Sequence, residues 1–247
     1  MLRYFLEVFY KGDGLSGFQV QENAVTVQSE IQKAFAVYFR KDVFLTGSSR
    51  TDAGVHALQN YFHFDWEEEF PQKSIYNLNA ILPLGIVIQS VRLVQPGAHC
   101  RFQAVSREYR YYICNTKNPF LADRSWYLPY SLDEKLLDIC AEKIKSHTQF
   151  EAFSKRNTQV KTFQCFISES EWTKENGCLV YHVKGNRFLR GMVRALVGTM
   201  IKVGRGSIDI QEFDRILKSR ELSSADFSAP AKGLFLVRVS YPEEIFL

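Results

Sequence analysis

Residues 2–10 alternate. Leu2, Tyr4, Leu6, Val8 and Tyr10 fall on one side of an extended chain and Arg3, Phe5, Glu7 and Phe9 on the other, which predicts a strand. Gly12-Asp13-Gly14 ends it. The period then lengthens: Val27, Ile31, Ala34, Phe35 and Tyr38 share one helical face, with Thr26 placed as N-cap. Strands are predicted at 44–47 and 58–64, flanking a loop at 48–57, and are followed by a helix at 74–82 and strands at 86–94 and 107–114.

The second half repeats the style. Ser131-Leu132-Asp133-Glu134 reads as a capping box opening a helix whose Leu136, Leu137, Cys140, Ala141 and Ile144 face a core. Strands are expected at 162–172 and 179–184, then a helix over 186–203. A short helix opens at Asp209-Ile210-Gln211-Glu212, and a closing strand spans 234–241. Strands and amphipathic helices mixed in this order imply an α+β protein built as two similar halves. The stretch 115–131, with Pro119 and Pro129, is the best boundary candidate, giving domains 1–115 and 116–247.

Composition narrows this little. Lys and Arg exceed Asp and Glu by 31 to 27, too slight an excess for a dedicated nucleic-acid-binding domain. Distribution says more. Between 176 and 208 stand Lys184, Arg187, Arg190, Arg194, Lys202 and Arg205 with no acid, whereas acids gather at 65–69 and 169–175. Such segregation suits a face turned to an anion, or a solvated helix face. Cys100, Cys114, Cys140, Cys165 and Cys178 are odd in number and widely spaced, an argument against a zinc site and against a disulfide framework. Residues 1–5 run straight into the first strand without a signal-like segment, and no apolar run is long enough to span a bilayer. The expected address is cytoplasmic.

Three segments have the residues for chemistry. In the loop Gly47-Ser48-Ser49-Arg50-Thr51-Asp52-Ala53-Gly54-Val55-His56-Ala57, small residues let a ligand approach the backbone, and Gly54 tolerates positive φ. Asp52 is then either a carboxylate offered to a cleft or an ordinary turn-forming Asp. On a helix over 186–194, Arg187, Arg190 and Arg194 fall on one flank beside an apolar stripe of Leu189, Val193, Leu196, Val197 and Met200. Three guanidiniums there suit phosphates or a carboxylate. Finally, in Arg107-Glu108-Tyr109-Arg110-Tyr111-Tyr112, basic residues interleave with aromatics, the composition of a base-stacking and phosphate-contacting surface.

The loop resembles the catalytic loop of the TruA-type tRNA pseudouridine synthases, whose Asp lies in Arg-Thr-Asp-Ala-Gly-Val-His-Ala. Residues 107–111, 186–194 and Ala229-Pro230-Ala231-Lys232-Gly233-Leu234 match in the family's order, and Gly17-Phe18-Gln19 resembles its Gly-Trp-Gln stretch. The resemblance implies Asp52 as catalytic carboxylate, Tyr109 stacking on the target uracil and Arg194 paired with the Asp. It also implies Leu234 in the base pocket and Arg50 holding the flipped nucleotide; Arg187 and Arg190, from the guanidinium cluster itself, are the expected RNA-binding residues. Phe18 in place of Trp, Ser48-Ser49 and Gly191 depart from the family pattern and bear on substrate detail.

By the same resemblance the fold has antiparallel mixed sheets joined into a continuous central sheet with a basic cleft. The substrate is tRNA at uridines 38 to 40 of the anticodon arm, and the protein is a homodimer. Uracil detaches, rotates and rejoins through C5 without redox change, so neither cofactor nor metal is required. Two other classes compete: a non-catalytic RNA-binding protein with the same basic-aromatic surface, and a glycoside hydrolase, which would need a second carboxylate.

Overall fold

The computed structural model describes residues 1–156 and 160–247. The chain divides into two compact units, Met1–Val105 with Leu236–Leu247, and Ser106–Phe235.

The first unit contains β1 (Leu2–Tyr10), α1 (Val27–Phe39), β2 (Thr46–Gly47), β3 (His56–Trp66), α2 (Ser74–Ile81) and β4 (Ile86–Val94). Strand β1 lies between β3 and β4, antiparallel to both. A central strand is covered on two faces, which is why Tyr4, Phe5, Leu6 and Val8 are all buried and why apolar residues stand on both sides of its alternation. Helix α1 starts in a capping box: Ser29 N–H donates to Thr26 Oγ1 (3.1 Å) and Thr26 N–H to Ser29 Oγ (2.9 Å). Its Val27, Ile31, Ala34 and Phe35 are buried, with Phe35 packed against Phe64, Trp66 and Phe70. Tyr38, expected on that face, is exposed at the helix end, where its hydroxyl accepts a hydrogen bond from Asn77. The strand expected at 44–47 shrinks to Thr46–Gly47, because Phe44 points to solvent.

The second unit follows with β5 (Ser106–Cys114), β6 (Trp126–Tyr127), α3 (Glu134–Lys145), β7 (Ile167–Glu175), β8 (Cys178–Gly185), α4 (Met192–Gly204), α5 (Ile210–Lys218) and the start of β9 (Leu234–Ser240). The stretch 115–131 lies inside this unit, where β6 pairs parallel with β5. The N-cap of α3 is Asp133, whose Oδ1 accepts from Leu136 N–H, so the expected box at Ser131 does not form. Strands β7 and β8 make a two-residue hairpin in which Asn176 (φ 51°) and Gly177 (φ 77°) both adopt the left-handed conformation. That Asn-Gly turn sets the register and carries β7 on to Glu175, past its predicted end.

Helix α4 begins at Met192, not at 186. Gly191 stands before it at φ 76°, a conformation that ends one segment and starts another. Nearly every residue of α4 is buried, so it is a core helix with no basic face of its own. Cys114 and Cys178 are joined by a disulfide across β5 and β8, contrary to the expectation from cysteine number. The bridge follows from register: Ile113 pairs with Leu179, which brings the next residue of one strand opposite the previous residue of the other.

The strands are hydrogen-bonded in the order β4-β1-β3-β9-β5-β8-β7, a mostly antiparallel sheet in an α+β fold, as expected. Among the described residues no helix is long and apolar enough to cross a membrane.

Candidate active-site residues

In the first unit the loop between β2 and β3 is pinned from beneath. Ser48 N–H donates to the Tyr61 carbonyl (2.8 Å), and its hydroxyl donates to the Cys100 carbonyl (2.9 Å). The buried Asn60 side chain donates to the Ser49 carbonyl (2.8 Å) and to the Tyr10 hydroxyl (3.1 Å). Tyr10 shares a 2.8 Å hydrogen bond with Thr51 Oγ1, and Phe18 N–H donates to the Thr51 carbonyl (3.2 Å). Phe18 itself stacks on Phe62 with centroids 4.3 Å apart. On the far side Gly12 N–H donates to His56 Nδ1 (3.1 Å).

Thr51 and Val55 are therefore buried on either side of a short tip made of Asp52, Ala53 and Gly54. The tip closes through Val55 N–H to the Asp52 carbonyl (3.2 Å), with Gly54 at φ 77° as its sequence allows. Asp52 is half-buried and Arg50 exposed. This arrangement fixes the backbone of a carboxylate while keeping it within reach of a ligand, which is what preorganised chemistry requires.

The second unit holds the remaining candidates. Tyr109 is on the buried face of β5, with the edge of Phe188 against it (5.1 Å between centroids). Tyr111, two residues on, donates its hydroxyl to the Pro230 carbonyl (2.7 Å), and burial holds its pKa well above the ordinary phenol range against the lowering charge of Arg194. Arg194 lies in the first turn of α4 and donates through Nε to the Ala229 carbonyl (2.7 Å). Leu234 is buried where β9 begins, one residue after Gly233, which lies against the Tyr111 ring. Tyr109, Arg194 and Leu234 thus come from three distant parts of the sequence and are tied together through Tyr111 and residues 229–234.

Arg187 and Arg190 are placed differently from the expectation. They sit in the turn 186–191 ahead of α4, Arg187 half-buried and Arg190 exposed, and do not share a helix flank with Arg194. Burial pushes the Cys165 thiol up to about 12, with Arg187 the opposing charge. The basic run is also broken by pairing. Lys184 meets Glu169 at 2.9 Å, Lys202 meets Asp226 at 3.2 Å, and Arg205 lies over the Tyr130 ring at 4.1 Å. Asn60, Tyr10 and Phe188, which position the candidates, were not singled out; only the place of Tyr10 at a strand end could have signalled its role.

Comparison with known proteins agrees with these motifs. The chain is 41% identical to tRNA pseudouridine synthase A of Parabacteroides distasonis over 248 residues, covering 100% of this chain and 98% of that protein. This chain belongs to the tRNA pseudouridine synthase A family. It is also 41% identical to the enzyme of the same name from Bacteroides thetaiotaomicron (100% of this chain, 93% of that one) and 34% identical to that of Staphylococcus aureus (100% and 93%). Residues 147–242 match the family described as tRNA pseudouridine synthase. The loop carrying Asp52 lies outside that matched stretch but inside the alignments with the full-length relatives.

Proposed function

We propose that this protein isomerises uridine to pseudouridine in tRNA, with Asp52 as the catalytic carboxylate. The observation that carries the reading is the tip of the β2–β3 loop, where Asp52 stands half-buried between the anchored Thr51 and Val55. The reaction breaks the N1–C1′ bond, turns the uracil, and forms a C5–C1′ bond, with the C5 proton lost and N1 taking up a proton. An ionised carboxylate serves either as nucleophile on the nucleotide or as base on the ribose. All heavy atoms stay with the product, so the protein's task is to extract the base, hold it and let it turn.

Extraction costs a few kcal/mol of lost stacking. Tyr109 supplies the replacement stack, its ring held on edge by Phe188. Leu234 lines the base pocket, Arg194 supplies active-site positive charge, and Arg50, exposed two residues from Asp52, engages the nucleotide backbone. Arg187 and Arg190, in an accessible turn, contact phosphates. The targets are uridines 38 to 40 of the anticodon arm, and the working form is a cytoplasmic homodimer.

Tritium release from C5-labelled uridine in tRNA transcripts tests the proposal. Wild type should release tritium, and Asp52→Asn should lose at least ~10³-fold in rate with tRNA affinity retained. Tight binding with no release by wild type would instead support a non-catalytic tRNA-binding protein.

A further inference from the structure

Beneath the same loop, though separate from the proposed chemistry, the first unit gathers three metal-ligating side chains. His63 comes from β3, and His99 and Cys100 from the segment after β4. Their ligand atoms all lie within 4.8 Å of one another, and His63 Nδ1 is 3.2 Å from Cys100 Sγ. His63 and Cys100 are buried, while His99 is half-buried, with its ring edge-on to His63 at 4.6 Å. We propose that His63, His99 and Cys100 form a binding site for a single zinc-class cation, with the fourth position open to water on the His99 side.

The donor set fits. Zinc is borderline-soft and takes thiolate and imidazole ligands at about 2.3 and 2.0–2.1 Å, so donors in a tetrahedral site lie roughly 3.3–3.6 Å apart. The His63–Cys100 pair, at 3.2 Å, is just short of that spacing, and the half-buried His99 ring closes the remaining gap by a side-chain adjustment. His99 Nδ1 accepts from Arg101 N–H (3.2 Å), and ligation gives up that bond, because a neutral imidazole that ligates through Nε2 carries its proton on Nδ1. Arg3 reaches the neighbouring Ala98 carbonyl (3.1 Å), and Asp65, paired with it at 2.7 Å, offsets part of its positive charge.

Binding converts the Cys100 thiol to a thiolate and releases one proton to solvent. The bond from Cys100 Sγ to the Thr46 carbonyl (3.1 Å) is exchanged for the metal bond. The cation would tie together the base of the loop, because Thr46 pairs with His63 in the sheet and the Cys100 carbonyl holds the Ser48 hydroxyl. The role is structural and supplies nothing to the isomerisation. Reading the cysteines by spacing alone argues against such a site; folding places His63 against the adjacent His99-Cys100 pair.

Titrating the chelator-treated full chain with Co²⁺, then displacing it with Zn²⁺, tests this. The expected result is one equivalent bound, with thiolate-to-cobalt charge-transfer absorption that Zn²⁺ abolishes. Cys100→Ala should lose that absorption, and His99→Gln should weaken binding at least tenfold, both with unchanged circular dichroism. Absence of stoichiometric binding by the folded wild type would overturn the site. So would charge-transfer absorption that persists in Cys100→Ala, or an affinity that His99→Gln leaves unmoved.

Discussion

The loop at 48–57 and the turn at 186–191 are both short connections bearing charged residues proposed to meet RNA, yet they are anchored differently. The first is held by buried side chains reaching into it from elsewhere: Asn60 and Tyr10 from neighbouring strands, Ser48 bonded to a distant carbonyl, and Phe18 N–H on Thr51. The second is anchored at its two ends, around Asn186 and Arg190–Gly191. Gly191 takes a left-handed conformation, Asn186 N–H and Oδ1 bond the Phe166 backbone, and the Asn186 carbonyl accepts from Arg107 (2.8 Å). One carbonyl, that of Arg190, accepts from Lys155 N–H. A carboxylate that must meet one atom of a substrate gains from fixed surroundings. Guanidiniums that meet a phosphate backbone need only reach and charge.

Breaking the first arrangement should cost the most. Asn60→Ala strands the Ser49 carbonyl inside the protein and leaves the Tyr10 hydroxyl with Thr51 but without Asn60, a loss of about 1–3 kcal/mol in urea unfolding. Tritium release should fall with it, and a stable variant of full activity would show the loop does not depend on that anchor. Gly191→Ala should cost about 1–2 kcal/mol, since a left-handed backbone is imposed on a residue with Cβ, which would also press on Lys155 and Phe227. Urea unfolding reads the loss, and an unchanged midpoint would show that the turn does not depend on that glycine. Arg187→Ala should leave stability alone and lower the slope of log affinity against log salt by about 0.7–0.9. An unchanged slope would detach this turn from RNA. Smallest of all, Tyr109→Phe should keep most of the activity that Tyr109→Ala loses, because a ring stacks with or without its hydroxyl; equal losses would point to the hydroxyl instead.

Sequence legibility divides along the same line. Strand β1, helix α1 with its Thr26 cap, β4 and the Asp209 cap of α5 are local patterns and were readable from spacing alone. Periodicity places the start of α4 too early, because the apolar stripe extends from Leu189 to Met200 and does not register a single glycine turned to positive φ. The Cys114–Cys178 bridge and the His63–His99–Cys100 cluster were invisible for another reason. Both are made by strand register or a returning loop, which spacing in the sequence does not encode. Asp52 and Arg194 stand in motifs that the sequence displays, whereas Asn60 had no signal: a buried amide reads as any other polar residue until its partners are known.

Strand β9 has a consequence for the order of events during synthesis. The first unit takes Leu236–Leu247 as well as its amino-terminal residues, and the whole of Ser106–Phe235 is translated in between. Until those late residues emerge from the ribosome, Phe5 and Tyr61 lack the Tyr241 ring that packs on them, Ser48 and Cys100 lack its hydroxyl, and Gln95 N–H lacks the Ile245 carbonyl. The unit that carries Asp52 is begun first and finished last, so a nascent chain interrupted before residue 236 leaves the loop without part of its foundation.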